Sequence, residues 1–356
     1  MKKIGKFLKK AGRFLFFVVL ALVVIIGAFV LWLRAEPEEV AACDAGFRHF
    51  ETDIHTSCVP EVAERVLPFS PSATQFFLAV GYQPVGHLTI VDQVAFIDQP
   101  HLVAAWNEII EGTPAVTIGE SWPPNLESTI AAEPDVILSE YGLSFVSKLV
   151  ERIAPVVELD QRDWKASLLF TGDVIGEMKA AEEMIADYEM RVQILRELFD
   201  DPSEITISAV NVRPDRLVLH LPGSFSSQII EEVGFSFPDA QIQLDAELDQ
   251  PFSTYHDVSE ERIDLMEGDV IFLYGLETAS FDEEEGFVSG DAVVDELLTD
   301  PLIQQLDVIQ RGAHYPGGNY WQRGGIYSAH AVLDDLFRHV AGVDPEEIAP
   351  NPLLLE

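Results

Sequence analysis

The sequence predicts an α/β protein with two Rossmann-like lobes joined by one long interlobe helix, preceded by an N-terminal transmembrane helix. Three observations predict it. Apolar strand-like stretches alternate with helical patterns through the body. Asp173 to Phe199 contains no proline and places Val174, Met178, Ala181, Ile185, Tyr188, Val192, Leu195 and Phe199 at helical spacing. Phe14 to Leu33 carries no charge and is long enough to cross a bilayer. At 356 residues the chain exceeds what one ordinary core needs, which favours two lobes.

Taken in order, residues 1–13 are a basic segment expected in the cytoplasm, with Lys2, Lys3, Lys6, Lys9, Lys10 and Arg13 ahead of the 14–33 anchor. Basic flanks stay inside, so the body is expected outside the membrane. A cleaved signal peptide is the alternative, but its apolar region is usually shorter and ends at small residues, whereas Leu33 runs into Arg34-Ala35-Glu36-Pro37. Residues 34–59 read as a tether containing both cysteines, Cys43 and Cys58. Outside the cytoplasm a disulfide is the preferred reading, closing a loop of about 15 residues worth roughly 3 kcal/mol. Lipidation of Cys43 is the lesser reading, because four charges separate Val40-Ala41-Ala42-Cys43 from the apolar run.

The first lobe is expected over 60–170. Arg65 to Phe69 reads as a strand; Ser70 or Ser72 then caps a helix that Gly81 stops. Further strands are expected at Gln83 to Leu88, Pro134 to Ser139 and Ala154 to Leu159, with a short helix from Leu126 to Ala132. The interlobe helix lies within 171–200, and its 27 residues from Asp173 to Phe199 would be roughly 40 Å long. In the second lobe, 201–345, strands Ile205 to Val212 and Leu217 to Leu221 flank a turn at Arg213-Pro214-Asp215. A helix from Ser226 to Val233 ends at Gly234, a buried strand spans Gly268 to Tyr274, and 346–356 is a tail.

Composition narrows function. The chain has 60 acidic and 22 basic residues, and seven of the basic ones lie before residue 35, so the body carries 15 against 60, a formal charge of −45. Its only lysines are Lys148, Lys165 and Lys179. A nucleic-acid backbone is therefore excluded as a partner. No P-loop, G-x-G-x-x-G, H-E-x-x-H or G-x-S-x-G motif occurs, since Gly223-Ser224-Phe225-Ser226 lacks the second glycine. An enzyme is not expected, nor a cofactor. A metal site would need the distant His87, His220, His256 or His314 to converge.

Four stretches carry a family resemblance: Cys43 with Cys58-Val59-Pro60 and Arg65-Val66-Leu67; Phe77 to Gly86; Asn125-Leu126-Glu127 to Ile137 with Ile153 to Val157; and Asp300-Pro301-Leu302 to Gln310 with Tyr320-Trp321 and Gly325 to Leu336. They resemble the solute-binding proteins of iron-siderophore ABC importers, relatives of the vitamin B12-binding and haem-binding proteins. The resemblance implies a monomeric clamshell with a ferric siderophore in a shallow cleft, delivered to an ABC permease with its ATPase.

Loops beyond the carboxyl ends of the strands are where open sheets bind ligands. They contain Ser70, Ser72, Trp122, Glu140 and Tyr141 in the first lobe, and Arg213, Ser224, His256, Tyr320, Trp321 and Arg323 in the second. Aromatic rings suit a bulky chelate and Arg forks suit its anionic oxygens. Trp321 matches a pocket tryptophan of the family; Arg213 and Tyr141 read equally as surface residues, and the serines read better as helix caps. Glu127 and Glu261 match the family's permease-docking acids. A strongly acidic body repels anionic chelates at low salt, which fits either a high-salt habitat or a neutral or cationic ligand. Alternatives on the same fold are a cobamide or haem receptor, or a ligand-sensing ectodomain read by a partner.

Overall fold

The computed structural model of the chain describes residues 43–52, 56–88, 100–116, 125–140, 144–248, 254–275, 278–279, 287–288, 290–322 and 324–354. The expected membrane anchor, 14–33, lies outside them; among the described residues no helix is long and apolar enough to cross a membrane. Gly46–Glu356 forms one compact unit. Cys43 and Cys58 are both disulfide-bonded, as expected.

The chain from residue 46 is less of a tether than its sequence suggests. β1 (Phe47–Glu51) and β2 (Thr56–Pro60) pair antiparallel, Phe47 opposite Pro60. Phe50 and Val59 send buried side chains into the core while their neighbours stay wet, a one-sided pattern too short to register as a period.

β3 (Val66–Pro68) leads into α1 (Pro71–Val80). Ser70 Oγ accepts from Ala73 N–H, and Gly81 adopts φ 65°. Gly81 N–H donates to Leu78 O and Tyr82 N–H to Phe77 O, satisfying carbonyls that the helix end would leave open. The Tyr82 and Phe77 rings meet 5.0 Å apart over that turn. β4 (His87–Leu88), α2 (Pro100–Ile109) and β5 (Ala115–Val116) follow, β4 pairing β5 in parallel. Next come α3 (Leu126–Ala131), β6 (Val136–Glu140), α4 (Ser144–Val150) and β7 (Val156–Leu159). The first sheet is parallel in the order β3-β6-β7. Every residue of its strands is buried, because helices cover both faces.

The expected single helix of 27 residues is two helices. α5 (Trp164–Ile175) ends at Gly176, φ 79°, and α6 (Met178–Arg196) begins two residues on. Glu177 N–H turns back to Gly172 O at 2.7 Å. A Cβ on Gly172 would lie 2.9 Å from the Ala181 Cβ, so the helices pack almost backbone to backbone. Periodicity cannot see such a break, since the apolar face continues across it. At 19 residues α6 is about 28 Å long, not 40. It still buries the expected face through Ala181, Tyr188, Val192 and Leu195.

β8 (Ile207–Arg213) and β9 (Arg216–His220) form a hairpin through Pro214 and Asp215, after which Ser224 caps α7 (Phe225–Val233) and Gly234, φ 102°, ends it. α8 (Asp239–Leu248), β10 (Tyr255–Val258) and β11 (Val270–Gly275) precede a small hairpin of β12 (Thr278–Ala279) and β13 (Phe287–Val288). α9 (Gly290–Leu297), α10 (Asp307–Gln310), β14 (His314–Pro316), α11 (Ile326–Asp335) and α12 (Pro345–Ile348) complete the chain. The second sheet has the order β10-β9-β8-β11-β14. β8, β11 and β14 run parallel, but β9 runs antiparallel to its neighbours β8 and β10, so the second sheet is mixed. The two-residue turn after Arg213 leaves no room for a crossover helix and forces that reversal.

One ionic cluster crosses the core. Arg191 on α6, 2% exposed, pairs with Asp334 on α11, donates from Nε to Ala349 O (2.8 Å) and contacts His330 Nδ1 from Nη1 (2.8 Å). Burial, and then the Arg191 charge, push His330 down to about 3. The neutral ring thus accepts from the guanidinium.

Candidate functional site

The sites follow from what the helix starts and strand ends present. Ser70 is fully buried and committed to capping α1. Ser224, also fully buried, accepts from Ser227 N–H and donates to Ser227 Oγ at 2.7 Å. Both serines cap helices, the reading preferred for them over a ligand contact. Ser72 lies deeper than a ligand loop would place it: its hydroxyl sits 2.7 Å from Gly324 O and 3.2 Å from Glu140 Oε1, and its single proton goes to the nearer oxygen. Glu140, at the carboxyl end of β6, is 4% exposed and accepts from Ser72 N–H.

Trp321 is fully buried. Its ring is 0% exposed and stacks on Phe272 at 4.3 Å. Its indole N–H donates to Asp335 Oδ2 (2.8 Å), the same oxygen that receives the Tyr320 hydroxyl (2.9 Å). β11 presents Phe272 to the core face, and the indole completes that layer. Tyr320 is half-buried, with its hydroxyl turned inward. Trp122, Tyr141 and Arg323 lie outside the described residues.

Arg213 is brought to a usable place. It ends β8 directly opposite Arg216, and both line a groove of about 370 Å³. Leu217, Val258, Ile263 and Leu302 supply apolar wall, and Asp215 and Asp300 polar rim. Arg213 Nε is buried without a hydrogen-bond partner, whereas Arg216 approaches Asp257 only at 3.8 Å. Two guanidinium groups over an apolar wall suit an anion with a greasy body. Arg216 was legible only through the hairpin, because a two-residue turn sets residues three apart face to face. Further polar groups near strand ends escaped sequence reasoning: Asn211 donates to Gln322 Oε1 (2.7 Å), and its own Oδ1 is buried and unpartnered.

The histidines do not converge. His87 meets Thr113 (3.0 Å), and His256 lies within β10. His220 contacts Ser226 Oγ (2.8 Å) and Tyr274 OH (2.5 Å), and burial pushes it down to about 3. That Ser–His contact is sealed in the core and offers no approach to a substrate. Glu127, in the first turn of α3, and Glu261, in the turn Glu260–Met266, are both exposed.

Two sheets linked through packed helices, a groove at which Arg213 Nε has no hydrogen-bond partner and a Ser–His contact sealed in the core fit a solute-binding protein of the α/β type. The family described as Periplasmic binding protein matches residues 90–315. The chain belongs to that family, whose members bind solutes and are not enzymes. It is 28% identical over 288 residues, 79% of this chain and 87% of the relative, to the achromobactin-binding periplasmic protein of Dickeya dadantii. It is 24% identical to the probable siderophore-binding lipoprotein YfiY of Bacillus subtilis, over 78% of this chain and 82% of the relative. Among solved structures, Staphylococcus aureus SirA complexed with staphyloferrin B superposes with TM-score 0.68 at 21% identity, covering 82% of this chain and 98% of SirA. Bacillus subtilis FeuA complexed with ferri-bacillibactin gives 0.65 at 16%, over 83% and 98%. These structural likenesses establish the fold.

Proposed function

We propose that this protein is an extracytoplasmic receptor, tethered by residues 14–33, that captures a ferric siderophore and delivers it to the permease of an ABC importer. The observation that carries the reading is the run of curated relatives across most of the body, named for achromobactin, a siderophore and ferric enterobactin. The groove at Arg213 and Arg216 supports it, because paired guanidiniums recover an anionic chelate that the acidic surface would otherwise repel. Glu127 and Glu261 are the docking acids of this reading, one on each sheet-bearing half. Exposed Leu126 and Ile130 beside Glu127 give that contact an apolar margin.

The test is quenching of tryptophan emission in the full chain by ferric achromobactin, ferric staphyloferrin B and ferri-bacillibactin, with cobalamin and haemin as comparators, at low and high salt. Saturable binding of a ferric chelate, weakened about tenfold or more in Arg213→Ala, is expected from loss of a charge-assisted contact. Tight binding of cobalamin or haemin alone would overturn the cargo while keeping the fold. Reversing Glu127 and Glu261 together should abolish uptake without changing ligand affinity.

A further inference from the structure

The hairpin that closes β8 and β9 sets two like charges face to face. Arg213 and Arg216 are direct partners in the antiparallel register, about 5 Å apart at Cα, a placing that costs stability unless something of opposite sign lies between them. The body has four acids for every base, 60 against 15, and it uses them on other arginines: Arg48 pairs with Asp173, Arg162 with Asp160 and Arg191 with Asp334. Arg213 forms no such pair among the described residues. Its Nε is buried without a hydrogen-bond partner, and Arg216 comes no nearer to Asp257 than 3.8 Å. Asp215 and Asp300 rim the same groove, so its local charges stand at two of each sign. The remaining wall is aliphatic, from Leu217, Val258, Ile263, Leu297, Leu302 and Ile303, and no aromatic ring lines it among the described residues.

We propose that this groove clamps a free carboxylate of a carboxylate-type ferric chelate between Arg213 and Arg216 and discriminates against triscatecholate chelates. This rests on the siderophore-receptor reading and names the class of its cargo. A carboxylate that ligates iron through one oxygen keeps the other for a donor, and an uncoordinated carboxylate keeps both, so such a chelate offers the acceptors that two guanidinium forks take. In a ferric triscatecholate the phenolate oxygens are all engaged at the metal, and the surface that remains is largely aromatic ring. Rings gain most from aromatic partners, and this wall supplies aliphatic ones. Charge acts in the same direction. A triscatecholate complex of Fe(III) is triply negative; two guanidiniums already offset by two rim carboxylates hold a local carboxylate, but they do not overcome the repulsion of so charged a complex by a body of formal charge −45. The groove, at about 370 Å³, lies near the lower end of the range for small-molecule sites, which suits a compact chelate or one acidic arm of a larger one.

The experiment titrates the full chain with ferric citrate and with ferri-bacillibactin, a triscatecholate chelate, by calorimetry at low and high salt. Ferric citrate is expected to bind at least tenfold more tightly. Arg213→Lys and Arg216→Lys each keep the charge and lose the fork, so each should weaken ferric citrate about tenfold while leaving ferri-bacillibactin within about twofold. Asp300→Asn removes a rim charge and should strengthen ferri-bacillibactin severalfold at low salt, narrowing the preference. Urea unfolding of the three variants checks that each keeps its fold, as expected for side chains at the surface end of a hairpin and its rim. Ferri-bacillibactin bound as tightly as ferric citrate, or more so, overturns the carboxylate assignment and leaves the receptor reading standing. Ferric citrate binding that is indifferent to both lysine variants overturns the clamp, as does no saturable binding of ferric citrate at either salt. Only if the chelates of the receptor test fail to bind as well does the receptor reading fall with it.

Discussion

Asp334 and Asp335 are consecutive on α11 and almost equally buried, at 8% and 6% exposure, yet they face opposite electrostatic worlds. Asp334 meets the guanidinium of Arg191, which is itself held by Ala349 O and His330. Asp335 accepts from an indole and a phenol. Hydrogen bonds from neutral donors do not offset the loss of water around a carboxylate, whereas an opposed charge in good geometry does. The same helix end therefore carries an ion pair and, one residue on, a group that burial raises to about 7.

The largest way to break this comparison is to remove the compensating charge. Arg191→Met should lose about 3–5 kcal/mol in urea unfolding, because Asp334 is left buried and unpaired. Adding Asp334→Leu should restore at least half of that loss; no restoration would mean the pair is incidental to the packing. Gly325→Ala disturbs the other end of α11. Gly325 has φ 148°, and an added Cβ would lie 2.4 Å from Gln75 Oε1, so a loss of about 2–3 kcal/mol is expected by the same measurement.

Thermal unfolding against pH sharpens the contrast. His220 and His330, pushed down to about 3, refuse protons that the unfolded chain accepts, so they draw stability down as pH falls below about 6.5. Asp335 works in the opposite sense, adding stability as pH falls from about 7 towards 4. Each group contributes up to about 1.4 kcal/mol per pH unit. Asp335→Asn leaves the histidines unopposed, and the slope between pH 4 and 6.5 should roughly double. The smallest effect belongs to a site with no charge at all: Ser224→Ala, which deletes the cap of α7, should lose about 1 kcal/mol.

What the sequence disclosed were features whose cause is local. Ser70 with Gly81 and Ser224 with Gly234 mark their helices because each cap is made by residues within the helix or beside it. The strands β3, β6, β7, β8 and β11 announce themselves by apolar runs between turn residues. The break at Gly176 was hidden because an αL glycine reverses the chain without interrupting the hydrophobic face. The antiparallel β9 followed from a turn whose residues were recognised but whose length was not used. Within the site, Arg213 was legible from its place after a strand. The burial of Trp321 was not, since it is decided by Phe272 and Asp335, one distant along the chain and the other across a helix. Arg191 and Asp335 likewise draw their meaning from partners that no spacing rule connects.

Gln75 on α1 is fully buried; its Nε2 donates to Ser328 Oγ (2.8 Å) and its Oε1 accepts from Ser328 N–H (3.1 Å), supplying from outside the cap that the start of α11 lacks. In the language of biosynthesis this is a long wait. The partners are 253 residues apart, so at 5–20 residues per second the amide emerges roughly 10–50 s before the helix start it will cap. Until then the amide of α1 is left to water, and the contact that caps α11 can form only when nearly the whole chain has been made.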